Sequence, residues 1–150
     1  MTEGSDRTTS GARRTVALAR TGKGRFEATN ARGGVLAVGD GEDADFTPVE
    51  LLLTAIAGCS AIDVDLITGK RAEAERFAVR AQGYKIRDQL GNRLADLRLV
   101  FDVAFPEGEG GDAARAVLQD AIEKSRDRLC TVSRTVAVAS PVEMVRGSVD

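Results

Sequence analysis

Cys59 and Cys130 are the two side chains in this 150-residue sequence best suited to nucleophilic or redox chemistry, and the complete absence of histidine limits what that chemistry can be. Without an imidazole the chain can assemble neither a Ser-His-Asp triad nor a Cys-His pair, and it can offer no zinc site with histidine ligands. Two thiols about 70 residues apart also lack the spacing of a metal knuckle, so neither a metal nor a cofactor is expected. Whatever chemistry the chain performs must rest on thiols, carboxylates, arginines and lysines.

The element that must position Cys59 is the stretch TPVELLLTAIAGCSAIDVDLITG, Thr47 to Gly69, which reads as one helix. Thr47 is a suitable N-cap, Pro48 stands where a missing N–H costs nothing, and Glu50 falls three residues after the cap, as a capping box requires. Gly69 supplies the stop. The apolar residues leave no wide polar face before Asp63 and Asp65, and a helix that is apolar nearly all round is expected to be buried. At 1.5 Å per residue it spans roughly 33 Å, about the diameter of a small domain. Glu50, Asp63 and Asp65 argue against a membrane span, because each carboxylate would be expensive in hydrocarbon. Gly58, Ala55, Ala57, Ser60 and Ala61 surround the thiol with small side chains, which let another backbone or a substrate come close. Cys59 is then either such an approachable thiol or, as most free cysteines are, a small buried hydrophobe.

Composition narrows the class further. With 43% hydrophobic and 29% charged residues, 150 residues suffice for a single domain with its own core. The 21 basic and 23 acidic residues leave a formal net charge of -2, which gives no basis for a nucleic-acid or membrane-surface partner. The N-terminus lacks the order of a secretory signal, and the expected location is the cytoplasm.

Along the chain, residues 1–13 are polar and glycine-rich and are expected to form a disordered tail; 14–146 read as one domain, and 147–150 as a short C-terminal tail. Val16 and Leu18 alternate in a strand that turns at Gly-Lys-Gly around Lys23 into RFEAT, and Ala31 to Gly34 turn again into VLAV. The acidic loop Gly39 to Asp45 precedes the helix. After it the period changes to two: Phe77, Val79, Ala81, Tyr84 and Ile86, a turn near Gly91, then Leu97, Leu99, Phe101, Val103 and Phe105. PEGEGG breaks this strand, and Asp112 is the expected cap of a second helix ending near Leu129. Cys130 follows directly. The negative end of that helix would raise its pKa and the nearby Arg126 and Arg128 would lower it, so the sign stays open. A last strand is expected through Val136, Val138, Val142 and Met144. The inventory is βββ-α-ββ-α-β, an α+β chain with a buried central helix.

Taken together, TPVELLLTAIAGCSAIDV, with Pro48, Glu50, Leu51 and Cys59 in register, and RLCTVSRTV around Cys130 resemble the osmotically inducible protein C and organic hydroperoxide resistance family, OsmC/Ohr. The resemblance runs from about Thr15 to Val145, and GCSAIDV is closer to a less characterised OsmC-like branch. It implies an intertwined homodimer with two sites at the interface, and thiol peroxidase activity toward alkyl or lipid hydroperoxides in oxidative-stress defence. Cys59 resembles the peroxidatic thiol and Cys130 the resolving one. Such a cycle needs a thiolate to attack the O–O bond and become a sulfenic acid, and a second thiol to condense with it to a disulfide that a dithiol reductant can reopen.

The same resemblance places Glu50 as the carboxylate that holds an arginine at the site. Nine residues separate Glu50 from Cys59, about 13.5 Å of rise and 900° of turn, so one helix carries them on opposite faces. Glu50 is therefore expected to serve the Cys59 of a second subunit, or only the capping box. The family's glycine-flanked arginine corresponds here to RTGKGRF, with Lys23 near the expected place. Arg25 is the candidate substitute, with Arg20 and Arg134 as further possibilities, and its alternative is a solvated strand arginine. Asp63, one helical turn after Cys59, would raise the thiol's pKa and slow attack unless a cation neutralises it. The displaced arginine favours a second reading, a non-catalytic dimer that binds a small apolar molecule in the interface pocket.

Overall fold

A computed structural model describes residues 11–149, and it divides into two compact units, one reaching Pro48 and taking in the residues from Gly147, the other Val49–Arg146. Residues 1–10, most of the expected tail, lie outside the described residues.

The first unit is an antiparallel meander, β1 (Val16–Gly22), β2 (Arg25–Asn30) and β3 (Val35–Val38), in sheet order β1-β2-β3. Its first turn closes where Gly24 adopts φ +67°, a left-handed conformation that favours glycine. The second turn is built by Asn30, whose Oδ1 accepts from the backbone N–H groups of Arg32 at 3.1 Å and Gly34 at 2.8 Å. In the acidic loop that follows, the Arg25 guanidinium is bound by Asp43 and lies 3.5 Å from Asp45. The loop's negative charge is thus gathered around a strand arginine.

In the second unit the helix expected at Thr47 to Gly69 is present as α1 (Pro48–Gly69). Its burial differs from the expectation. Ile56, Ser60, Val64 and Thr68, one stripe at four-residue spacing, are buried, whereas Val49, Leu52, Ile62 and Leu66 are exposed. The cause is coverage: the unit's remaining elements bury a single face of a helix that is apolar on several. By length and composition α1 could also cross a membrane, but Asp63 on it is hydrogen-bonded to a serine of the same unit.

The period-two segments form the hairpin β4 (Arg76–Asp88) and β5 (Gly91–Ala104), with Phe77 opposite Val103 and Val79 opposite Phe101. Between Gln82 and Tyr84 the register shifts, and Asp96 at φ +53° supplies the extra residue of β5. Gly83 faces this bulge, where a Cβ would stand 2.8 Å from a Leu97 methyl.

Two expectations for the C-terminal third need correction. The second helix, α2 (Glu109–Lys124), starts before Asp112. Its glycines are not breakers: a Cβ on Gly111 would collide with the Pro106 carbonyl, so glycine permits the close entry of the helix. The expected last strand is absent among the described residues. In its place α2 continues as a π-helical turn, Ser125–Leu129, and then α3 (Thr131–Ala137) takes up Val136. Ala139 at φ +52° ends that helix, and 140–149 form no regular element, with Val142 and Met144 exposed. Cys130, by capping a new helix, had redirected the segment that alternation assigned to a strand. The architecture is α+β, with three helices and sheets of three and two strands among the described residues.

Candidate active site

Cys59 lies in the middle of α1 and Cys130 at the N-cap of α3, and the fold of the second unit brings them together. The two Sγ atoms and a carboxylate oxygen of Asp63 all lie within 4.8 Å of one another. Both cysteines are unpaired thiols; Cys130 is fully buried and Cys59 partly so.

Cys130 owes its place to the π-helical turn. Its backbone N–H donates to the Ser125 carbonyl at 2.9 Å, five residues back, and its carbonyl accepts from Arg134 at 2.9 Å as the first bond of α3. Its Sγ accepts from the Ser133 N–H at 3.4 Å, so a thiol occupies the position usually held by a capping hydroxyl. An inserted π turn shifts the helix by one residue and often marks a functional site.

A buried polar chain fastens this turn to α1. The Ser125 hydroxyl donates to Asp63 Oδ2 at 3.0 Å and lies 2.7 Å from the Ser60 hydroxyl. Ser125 is fully buried and Ser60 nearly so, and the bonds satisfy both. Asp63 was legible in the sequence as the carboxylate one turn after Cys59, and Ser60 only as a small neighbour. Ser125 carried no signal, because a serine near the end of a helix looks like a surface residue.

The electrostatics around Cys59 oppose ionisation. Burial pushes its thiol up; a backbone hydrogen bond from Val132 pulls it down; hydrogen bonding and charge from Cys130, and the Asp63 carboxylate, push it up again. The net direction is upward. Arg25 belongs to the first unit and engages Asp43 and Asp45, and Glu50 stands in the first turn of α1. Arg134 lies within α3.

In the same unit a pocket of about 480 Å³ is lined mainly by apolar side chains, among them Leu53, Ile56, Leu99, Phe101, Ile122 and Val136, with Ser60, Gln82, Arg98, Arg126 and Ser133 as its polar wall. Ser60 is the neighbour of Cys59, and Ser133 is the donor to Cys130. The pocket thus reaches the residue that follows Cys59 and the residue whose N–H meets the Cys130 sulfur.

With this geometry in view, the sequence model of the OsmC-like protein family matches residues 39–145, a span that holds both cysteines. The chain belongs to the OsmC-like family. An uncharacterized protein of Mycobacterium tuberculosis H37Rv is 30% identical over 128 residues, covering 83% of this chain and 90% of that one. An OsmC-like protein from Mycoplasma pneumoniae shares the fold with a TM-score of 0.69 at 12% identity, over 87% of this chain and 91% of its own. An organic hydroperoxide resistance protein from Elizabethkingia anophelis aligns with a TM-score of 0.55 at 16% identity, over 84% and 91%. The OsmC-like fold is thus shared with both branches, with the higher TM-score on the OsmC-like side.

Proposed function

We propose that this OsmC-like chain is a thiol-dependent peroxidase that reduces alkyl or lipid hydroperoxides in the cytoplasm, as part of oxidative-stress defence. The observation that carries the reading is the convergence of Cys59 and Cys130, the chain's whole complement of thiols, within 4.8 Å of one another, in a unit whose largely apolar pocket reaches Ser60 and Ser133. In the first step the Cys59 thiolate attacks the terminal peroxide oxygen, the O–O bond breaks, and the alkoxide leaves as an alcohol after protonation. Cys59 is left as a sulfenic acid. Cys130 then attacks the sulfenic sulfur, a disulfide forms, and the hydroxyl leaves as water. A dithiol reductant exchanges with the disulfide and returns both thiols. The pocket's apolar lining suits an alkyl chain better than hydrogen peroxide.

The working unit in this reading is a homodimer. The exposed apolar residues of α1, Val49, Leu52, Ile62 and Leu66, are the surface a second copy would cover. Glu50 of one copy, on the face opposite its own Cys59, would then serve the other copy's thiol, and Arg25 would supply the neutralising charge. Sedimentation tests this directly, since a stable folded monomer at micromolar concentration removes the shared site.

One set of observations favours the alternative, a non-catalytic binder of a small apolar molecule: Asp63 stands beside Cys59, and Arg25 is engaged by Asp43 and Asp45. Steady-state consumption of tert-butyl hydroperoxide with dithiothreitol as reductant separates the two. Consumption that depends on Cys59 supports the peroxidase; none, under conditions where the chain is folded and reduced, supports the binder.

A further inference from the structure

The cluster at the two thiols has the composition of a ligand set as well as that of a redox pair. We propose that the reduced Cys59, Asp63 and Cys130 side chains form a binding site for a thiophilic divalent cation, with Zn²⁺ as the ion they suit.

Geometry is the first argument. In a tetrahedral zinc site, Zn–S bonds of about 2.3 Å and Zn–O bonds of about 2.0–2.2 Å place neighbouring donor atoms roughly 3.5–3.8 Å apart. The three donors here already lie within 4.8 Å of one another, so closing around an ion asks for a contraction of at most about 1.3 Å. Cys59 and Asp63 are one turn apart on α1, the four-residue spacing that puts two ligands on one helix face. Cys130 comes from the junction between the π turn and α3.

The outer partners are in place too. Ser125 donates to Asp63 Oδ2 and is held by Ser60, which fixes the carboxylate. The Ser133 N–H points at the Cys130 sulfur, a bond that suits a metal-bound thiolate. The donors also select the ion. Two sulfurs disfavour magnesium and calcium, and two thiolates with one carboxylate fit zinc. With three protein ligands, a fourth position is left for water or an added ligand. Metal binding and a Cys59–Cys130 disulfide exclude each other, because the disulfide uses both sulfurs. The ion would therefore hold the pair reduced, whether or not the pair also reduces peroxides.

The test uses the reduced full-length chain, titrated with Co²⁺ as a spectroscopic probe and then with Zn²⁺. The expected result is one Co²⁺ per chain with thiolate-to-cobalt charge-transfer absorption and tetrahedral visible bands, lost on adding Zn²⁺, with proton release as the thiols ionise. Zn²⁺ should also protect both thiols from iodoacetamide. Cys59→Ser and Cys130→Ser should each weaken the charge-transfer band, Asp63→Asn should weaken Zn²⁺ binding, and Ser125→Ala should weaken it about 10-fold with the cobalt spectrum retained. Should a variant fail to fold, the wild-type chain alkylated at both cysteines replaces it as the control. Zn²⁺ binding that survives alkylation unchanged, or cobalt binding without charge-transfer absorption, would mean surface carboxylates only and would overturn the proposal. Peroxide consumption does not enter this measurement, so its presence or absence leaves the outcome intact.

Discussion

The Ser60 and Ser125 hydroxyls lie 2.7 Å apart across 65 positions of sequence, and the Ser125 hydroxyl donates a hydrogen bond to Asp63 Oδ2 at 3.0 Å. This link ties the π-helical turn to the middle of α1, and so sets Cys130 against Cys59. Replacing Ser125 by alanine leaves Ser60 and Asp63 short of a buried partner. The expected loss is about 1–3 kcal/mol of stability, read from denaturant midpoints. Ser60→Ala should cost less, because Ser125 retains Asp63, and the double variant should lose less than the sum of the two. Strict additivity would mean that the two hydroxyls do not act together.

The order of thiol chemistry sets a second expectation. Cys59→Ser should abolish peroxide consumption, because the attacking sulfur is gone. Cys130→Ser should complete one turnover and then stall, as an unresolved sulfenic acid proceeds to sulfinic acid under further peroxide. A single-turnover burst with mass analysis of Cys59 checks this. Full steady-state turnover in both variants would dismiss the thiol mechanism.

The pH dependence follows from the upward direction of the Cys59 thiol. A raised pKa means less thiolate at neutral pH, so the alkylation rate of the reduced chain should still be rising well into alkali. Asp63 contributes to that rise through its negative charge, and Asp63→Asn removes the charge while keeping the size. The variant should therefore alkylate faster than the wild type near pH 7 and equally fast in strong alkali, where both thiols are ionised. A variant that is slower at pH 7 would show that Asp63 assists ionisation, the opposite of a Coulomb effect.

What the sequence revealed and what it hid divide along physical lines. α1 was legible because Thr47, Pro48, Glu50 and Gly69 mark its ends and its apolar run is long. The β4–β5 hairpin was legible because a period of two runs from Phe77 to Ala81 on one side and from Leu97 to Val103 on the other, with a turn at Gly91 between them. The end of the chain was misread because Val136 and Val138 alternate as a strand would, while the decision for a helix lay in Cys130 acting as a cap, a role sequence rules give to hydroxyls and carboxamides. The thiol pair was reached through a family resemblance, since nothing in the spacing of Cys59 and Cys130 says that they meet. Ser125 stayed hidden because its meaning depends on a π turn that has no sequence code of its own.

The last prediction concerns the charge that would make Cys59 a better nucleophile. Within the chain, Arg25 is shared between Asp43 and Asp45, and as a partly exposed ion pair this contributes less than about 1 kcal/mol to stability. A role for Arg25 at the thiol therefore has to appear in the kinetics. If it neutralises the site, Arg25→Ala should raise the kinetic pKa of Cys59 and slow its reaction near pH 7, with less loss in alkali, where the thiolate forms anyway. Losing one charge-assisted contact is worth on the order of 1.5–3 kcal/mol, or about 10- to 100-fold in rate when fully expressed in the transition state. Arg20→Ala and Arg134→Ala belong beside it, since Arg134 follows Cys130 by four residues in α3. Alkylation rate against pH for the wild type and the three variants decides among them. One profile displaced toward alkali names the arginine; four coincident profiles mean that no arginine activates Cys59, and the ligand-binding reading then takes the lead.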